Sequence, residues 1–200
     1  MAQTYPAQAV LSDFIWKAEG GTRILRFLAL AFIGTLLIAI SSKVKIPLPG
    51  GVDMTMQTFV ILALGMAYGW RLAGATLLLY LAEGAAGLPV FTGTPEKGIG
   101  IAYMTGTTGG YLLGFLMAAV SVGWLAERGW DRNILTAAGA MLIGNVIIYV
   151  PGLIYLGALL GWDKPILEWG LYPFLVSDAI KLALAAAALP LAWKLLGRKG

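Results

Sequence analysis

Two charged residues stand where the sequence is otherwise greasy. Asp178 and Lys181 fall inside residues 169–193, WGLYPFLVSDAIKLALAAAALPLAW, an apolar stretch longer than the roughly 20 residues a membrane-spanning helix requires. Three positions apart on a helix means one face, a turn apart. Along a continuous helix starting at Trp169, at about 1.5 Å per residue, Asp178 lies about 13 Å deep. A charge at that depth costs at least about 2.5 kcal/mol, so such residues face a bundle interior and mark a functional site by default. A self-neutralising pair that merely ties helices together is the competing reading.

Other polar and aromatic residues can join them. Glu83 interrupts the apolar run 72–88, Lys97 sits in the loop that follows, and Asn145 and Tyr149 share a face of the run 133–160. Tyr80 shares a face with Glu83, Phe174 with Asp178, and Phe91 and Tyr103 lie in the loop. Gln57 opens the second apolar run. These residues suit a mostly apolar cavity with a few convergent polar groups, the usual build of a small-molecule site. Each also has a plainer role: Glu83 at the interface, Lys97 in solvent, Asn145 and Tyr149 in helix packing, Gln57 as a cap. The bottom-up ligand is a small amphipathic molecule with polar ends.

Composition narrows the class. The chain is 59% hydrophobic and 12% charged, with no cysteine and no histidine, and its mean hydropathy is +0.82; soluble domains carry about 25% charged residues. It reads as an integral membrane protein. Thiol and imidazole chemistry and most metal ligation are excluded, and we find no nucleophile beside a base, so no catalytic or metal-binding residue is assigned. No resident cofactor is expected. The net charge of +4 sets membrane orientation rather than nucleic-acid binding.

Six helices are predicted to position these groups: 24–42, 55–69, 72–88, 106–126, 133–160 and 169–193. The expected fold is all-α and polytopic, with residues 1–23 a cytoplasmic extension and 24–200 one six-helix membrane domain. Pro47, Pro49, Gly50 and Gly51 fix a loop at 43–54, and Trp70 and Arg71 form a tight connection. Gly106, Gly110 and Gly114 form a double GxxxG, a close-packing face, and Ala31, Thr35 and Ala39 make a small-residue stripe. Pro151 is expected to kink the fifth helix. The long loop 89–105, broken by Gly93, Pro95, Gly98 and Gly100, is expected to cap the pocket, as loops beyond about 12 residues tend to be functional. Cytoplasmic N- and C-termini place nine basic residues inside (Lys17, Arg23, Arg26, Arg71, Arg128, Arg132, Lys194, Arg198, Lys199) and four outside (Lys43, Lys45, Lys97, Lys164).

Four stretches together carry a resemblance: IPLPGGVDMTMQTF (46–59), LLYLAEGAAGLPVFTG (78–93), TGTTGGYLLGF (105–115) and PFLVSDAIKLALA (173–185). In matching order over roughly 24–196, they resemble the BioY family, the biotin-binding S-components of energy-coupling-factor (ECF) vitamin transporters. The resemblance implies a multi-pass protein of a prokaryotic plasma membrane that captures biotin from outside. Its partners would be a transmembrane T-component and ATP-binding-cassette ATPases. It implies that Asp178 and Lys181 of the DxxK motif bind biotin, with Glu83 and Lys97 as further polar and basic contacts, and that Ala31, Thr35 and Ala39 dock the T-component. The sequence holds no phosphate-cradling GxxxxGK[ST] run, so ATP would act through partners. An ion-coupled or solitary transporter is the alternative, and a homo-oligomer is left open.

Overall fold

The computed structural model describes residues 9–17, 19–48 and 52–197. In chain order these form α1 (Leu11–Ile15), α2 (Thr22–Lys43), β1 (Lys45–Leu48), β2 (Val52–Thr55), α3 (Gln57–Ala85), α4 (Gly100–Met104), α5 (Gly109–Ala126), α6 (Ile134–Leu160), α7 (Ile166–Gly170), a 3-10 turn (Tyr172–Phe174) and α8 (Leu175–Gly197). Five stretches among the described residues are long and apolar enough to cross a membrane: 22–43, 57–85, 109–126, 134–160 and 166–196. The chain is a multi-pass membrane protein. The terminal Arg198 and Lys199 of the charge count, and Pro49, Gly50 and Gly51 of the first loop, lie outside the described residues.

The stretch 57–85 is two antiparallel arms rather than one rod. Gln57 Nε2 donates to Tyr80 OH at 2.8 Å, whereas a straight helix would hold residues 23 positions apart roughly 35 Å from each other. The reversal falls at Gly69, with φ 75° and ψ 168°, backbone that only glycine adopts freely. A Cβ there would lie 2.6 Å from Glu127 Oε1. That same oxygen accepts the Trp70 N–H at 3.3 Å, satisfying an orphan donor at the start of the second arm. The tight connection expected at Trp70–Arg71 is therefore an elbow one residue earlier.

Glycines let the central helices close up. A Cβ on Gly114 would sit 2.6 Å from Ile148 O, one on Gly110 2.5 Å from Tyr155 Cβ, and one on Gly123 2.6 Å from Trp70 N. Gly110 and Gly114 are thus the α5 face that α6 rests on, as the motif predicts. Gly106 is not part of it, because α5 begins only at Gly109. α6 continues through Pro151 from Ile134 to Leu160.

Two elements differ from expectation, and the N-terminal extension carries a short helix that packs on the bundle. Residues 45–55, expected as loop, form an antiparallel hairpin in which Lys45 pairs with Thr55 and Leu48 with Val52. Residues 11–15 form a short helix docked on the bundle: Leu11 is buried, Phe14 packs edge-on against Trp193 at 5.3 Å, and Asp13 pairs with Arg26 at 3.0 Å. The last apolar stretch is also broken, with α7, a 3-10 turn and α8 in place of one helix. Pro173 lacks an N–H and stands at the start of that turn, so α8 is a fresh helix beginning at Leu175. Asp178 consequently occupies the first turn of α8, not the middle of a long helix. Its carboxylate there faces the positive end of the helix dipole.

Candidate functional site

Asp178 and Lys181 are both buried, at 7% exposure each, and they face the same way. Lys181 Nζ donates to Asp178 Oδ1 at 3.3 Å and to Thr58 Oγ1 at 3.0 Å. Tyr149 OH donates to Asp178 Oδ2. Three helices thus contribute to one cluster: α8 the ion pair, α6 the phenol, and the first arm of α3 the hydroxyl. A cavity of about 10 Å³ adjoins it, lined by Thr58, Leu62, Met141, Asn145, Lys181 and Leu182 among others. That is room for about one water molecule. Asn145, half-buried, lines the same cavity as Lys181.

A second, more apolar layer adjoins the ion cluster through the chain neighbours Gln57 and Thr58. Gln57 Nε2 donates to Tyr80 OH, and Tyr80 OH in turn donates to Val90 O at 2.9 Å. Thr92 Oγ1 donates to Gln57 Oε1 at 2.7 Å, and Tyr103 OH to Thr92 O at 2.6 Å. Phe91 is fully buried, edge-on to Tyr80 at 5.3 Å and stacked on Tyr103 at 5.0 Å. Gly84 makes this possible, since any Cβ there would overlap the Phe91 ring. Burial pushes the Tyr103 phenol above its ordinary pKa, which keeps it a donor to the loop.

The loop is also latched from α2. Lys43 Nζ donates to Phe91 O at 2.7 Å, and to Thr94 O and Thr94 Oγ1 at 2.8 Å each. Ser42 Oγ donates to Val90 O at 2.9 Å. Residues 90–94 are thereby held down as a plug over the layer containing Tyr80 and Gln57. The sequence reading named Phe91 and Tyr103 as covers but missed Ser42, Lys43, Thr58 and Thr92. A lysine at a helix end reads as an interfacial charge, and only its three acceptors reveal the latch.

Several expected members lie elsewhere. Glu83, half-buried, accepts a hydrogen bond from Thr35 Oγ1 at 3.1 Å, so it turns to α2 and not to Asp178 and Lys181. Lys97 is exposed on the loop. Phe174 sits half-buried in the turn before α8, its carbonyl accepting from Ser177 Oγ at 2.9 Å. The stripe Ala31, Thr35, Ala39 does not present an outer docking face: Ala31 and Thr35 are buried and Ala39 packs against the core. Helix packing inside the molecule consumes these small residues, with Gly34 next to Thr76 in the second arm of α3. The exposed face of α2 is bulky, with Ile24, Leu28, Phe32, Leu36 and Ile40.

Comparison with known proteins gives a consistent result. The family model described as the BioY family matches residues 11–198. A protein named biotin transporter BioY from Thermotoga maritima is 35% identical over 162 residues, covering 81% of this chain and 92% of the relative. Its namesake from Rhodobacter capsulatus is 34% identical over 165 residues, covering 76% and 85%. In fold, the chain matches a crystal structure described as the S-component for biotin from an ECF-type ABC transporter. That match has TM-score 0.69 at 23% identity, covering 88% of this chain and 95% of the other. The relatives are named transporters, not enzymes.

Proposed function

The chain belongs to the BioY family, and we propose that it captures biotin from outside the cell as the S-component of an ECF-type transporter in a prokaryotic plasma membrane. The observation that carries this reading is the buried Tyr149–Asp178–Lys181–Thr58 cluster lying next to a plugged loop. Buried opposite charges inside a membrane protein mark a substrate path by default. The ureido ring of biotin offers two N–H donors and one carbonyl acceptor. Asp178 accepts from the donors, and Lys181, which already gives one proton to Thr58, donates to the carbonyl. Such charge-assisted bonds are the strong kind. Asn145, Gln57, Tyr80, Phe91, Tyr149 and Phe174 supply the remaining polar and aromatic wall, and the exposed Lys97 takes the valerate carboxylate nearer water. Glu83 acts through α2 and not on the ligand.

The cavity beside Lys181 holds about one water, so a bicyclic ligand requires the surrounding structure to open, and the latched segment 90–94 is the part proposed to lift. Gating of this kind sequesters a ligand from solvent. In the proposed topology the two arms of α3 cross separately, giving six crossings with both termini cytoplasmic and the plugged loop outside. The sequence has no phosphate-binding P-loop, so energy comes from T-component and ATPase partners.

The test is calorimetric titration of the purified protein with biotin, paired with mass spectrometry of whatever small molecule co-purifies. Unmodified biotin at one per chain is expected. Absence of binding at millimolar biotin refutes the reading. Uptake by ATPase-free vesicles that a protonophore abolishes would instead establish ion coupling.

A further inference from the structure

At the Gly69 end of the molecule, opposite the plugged loop, lies a cleft of about 1240 Å³, larger than a typical drug-sized pocket of about 300–1,000 Å³. Its walls come from α1, the start of α2, the elbow of α3, and the turn after α5. Five arginines line it (Arg23, Arg26, Arg71, Arg128 and Arg132) against two carboxylates, Asp13 and Glu127. Both carboxylates are engaged. Asp13 pairs with Arg26 at 3.0 Å and accepts the Val10 N–H at 3.2 Å; Glu127 accepts the Trp70 N–H. Among the described residues Arg23 and Arg71 have no carboxylate within ion-pair distance. Arg26 also buries an Nε–H with no hydrogen-bond partner.

Two guanidinium groups lie over indoles. Arg71 stacks over Trp70 at 5.0 Å, and Arg128 over Trp124 at 3.3 Å with its Nη1 donating to Trp124 O at 2.9 Å. A guanidinium over an aromatic ring keeps outer N–H groups available to bind a tetrahedral oxyanion. The lip of the cleft is apolar. Ile24, Phe27 and Leu28 line it, and they belong to the exposed face of α2, at 70%, 38% and 60% exposure. A pocket of arginines that opens sideways onto a greasy helix face suits a ligand with a phosphodiester head and hydrocarbon tails. Basic pockets between transmembrane helices on the cytoplasmic side bind anionic lipid head groups, and the topology proposed above puts this end in the cytoplasmic leaflet.

We propose that this cleft is a binding site for the phosphate head group of an anionic glycerophospholipid, its acyl chains running along Ile24, Phe27 and Leu28 of α2. The head-group oxygens accept from Arg23, Arg71 and Arg128, and Arg26 anchors the floor.

The test is native mass spectrometry of delipidated full-length protein in detergent. It is titrated with phosphatidylglycerol, with phosphatidylcholine, and with inorganic phosphate as a competitor. The parent and the R71Q/R128Q variant are compared, and R23Q is a second variant at an exposed position. Phosphatidylglycerol is expected to bind the parent at defined stoichiometry, and phosphatidylcholine weakly. Removing two of the basic residues is expected to weaken binding about thirtyfold, at about 1 kcal/mol each, with biotin binding unchanged. R23Q is expected to show a smaller loss, and millimolar phosphate no competition. Equal retention of the two lipids overturns the proposal, as does undiminished phosphatidylglycerol binding in both variants. Displacement by inorganic phosphate overturns it in favour of a soluble-anion site. A parent that retains no phosphatidylglycerol leaves the cleft to a protein partner and also overturns it.

Discussion

Replacing Asp178 by asparagine keeps the shape of the side chain and removes its charge. Three things then change. Lys181 Nζ keeps only Thr58 Oγ1 at 3.0 Å as a strong acceptor, having lost the carboxylate at 3.3 Å. Tyr149 OH loses a charged acceptor. Biotin loses the group that takes its ureido N–H donors. A hydrogen bond to a charged group contributes about 1.5–3 kcal/mol, so biotin affinity is expected to fall at least about tenfold, the 1.4 kcal/mol step. Folding suffers separately, because breaking a buried pair at one end costs about 3–5 kcal/mol. The two effects are separable with Lys181→Met and the double variant, assayed by titration calorimetry and by thermal melting in the same detergent. The double variant leaves no uncompensated buried charge, so it is expected to melt above either single variant while binding no biotin. That sign of non-additivity is what contacting residues show. Parent-like biotin affinity in Asp178→Asn and Lys181→Met would refute the assignment of the ion pair to the ligand. A double variant whose destabilisation equals the sum of the singles would refute the coupling of Asp178 to Lys181.

Three further perturbations test the surroundings. Gly84→Ala sets a methyl into the Phe91 ring, and overpacking of this kind costs about 1–3 kcal/mol; a lower melting temperature and an exposed 90–94 segment in hydrogen exchange are expected, and unchanged protection there would contradict the plug. Lys43→Met removes the donor to Phe91 O, Thr94 O and Thr94 Oγ1, so stopped-flow biotin association and dissociation are both expected to accelerate, whereas equal rates would show that the latch does not limit loop opening. Asp131, fully buried beneath Trp193 Nε1 at 2.5 Å, has its carboxyl pushed up to about 6 by burial. The folded state therefore binds the proton more tightly than the unfolded chain, and stability is expected to be greatest at low pH and to fall as pH rises from about 4 to about 6. Melting curves of Asp131→Asn should lose that slope, and an identical slope in parent and variant would assign it elsewhere.

The sequence made some of this legible for plain reasons. A carboxylate and an ammonium three apart in an apolar run admit few readings, and Asp178 and Lys181 do share one buried cluster. GxxxG marks close approach, and Gly110 and Gly114 meet α6. What failed was direction and continuity. The depth assigned to Asp178 assumed an unbroken helix, yet α7 ends at Gly170 and α8 starts afresh at Leu175 after the 3-10 turn that holds Pro173. A small-residue stripe signals a close neighbour without saying whether that neighbour belongs to the same chain, and for Ala31 and Thr35 the neighbour is internal. Residues 11–15 are too short and mixed to signal docking; only Leu11 and Phe14 against the bundle reveal it. Glu83 was placed by its depth and topology and by the family resemblance, and neither specifies that its side chain turns toward Thr35 of α2.

The arrangement on α2 has a mechanical consequence. Its C-terminal residues Ser42 and Lys43 make four hydrogen bonds to residues 90–94, and Thr35 makes another to Glu83 on the second arm of α3. The opposite face of the same helix is bare, with Ile24, Leu28, Phe32, Leu36 and Ile40 exposed. Bulk lipid covers such a face without preference, because lipid tails are as apolar as the side chains. A protein surface packed against it would instead fix the position of the helix. Sliding or tilting α2 by even 1 Å lengthens every bond to the plug at once, since all four originate within two adjacent residues. Net hydrogen-bond contributions of about 0.5–1.5 kcal/mol each make the plug's hold on the bundle a few kcal/mol in total. That is the range a differential contact on α2 must supply to shift the loop from held to lifted.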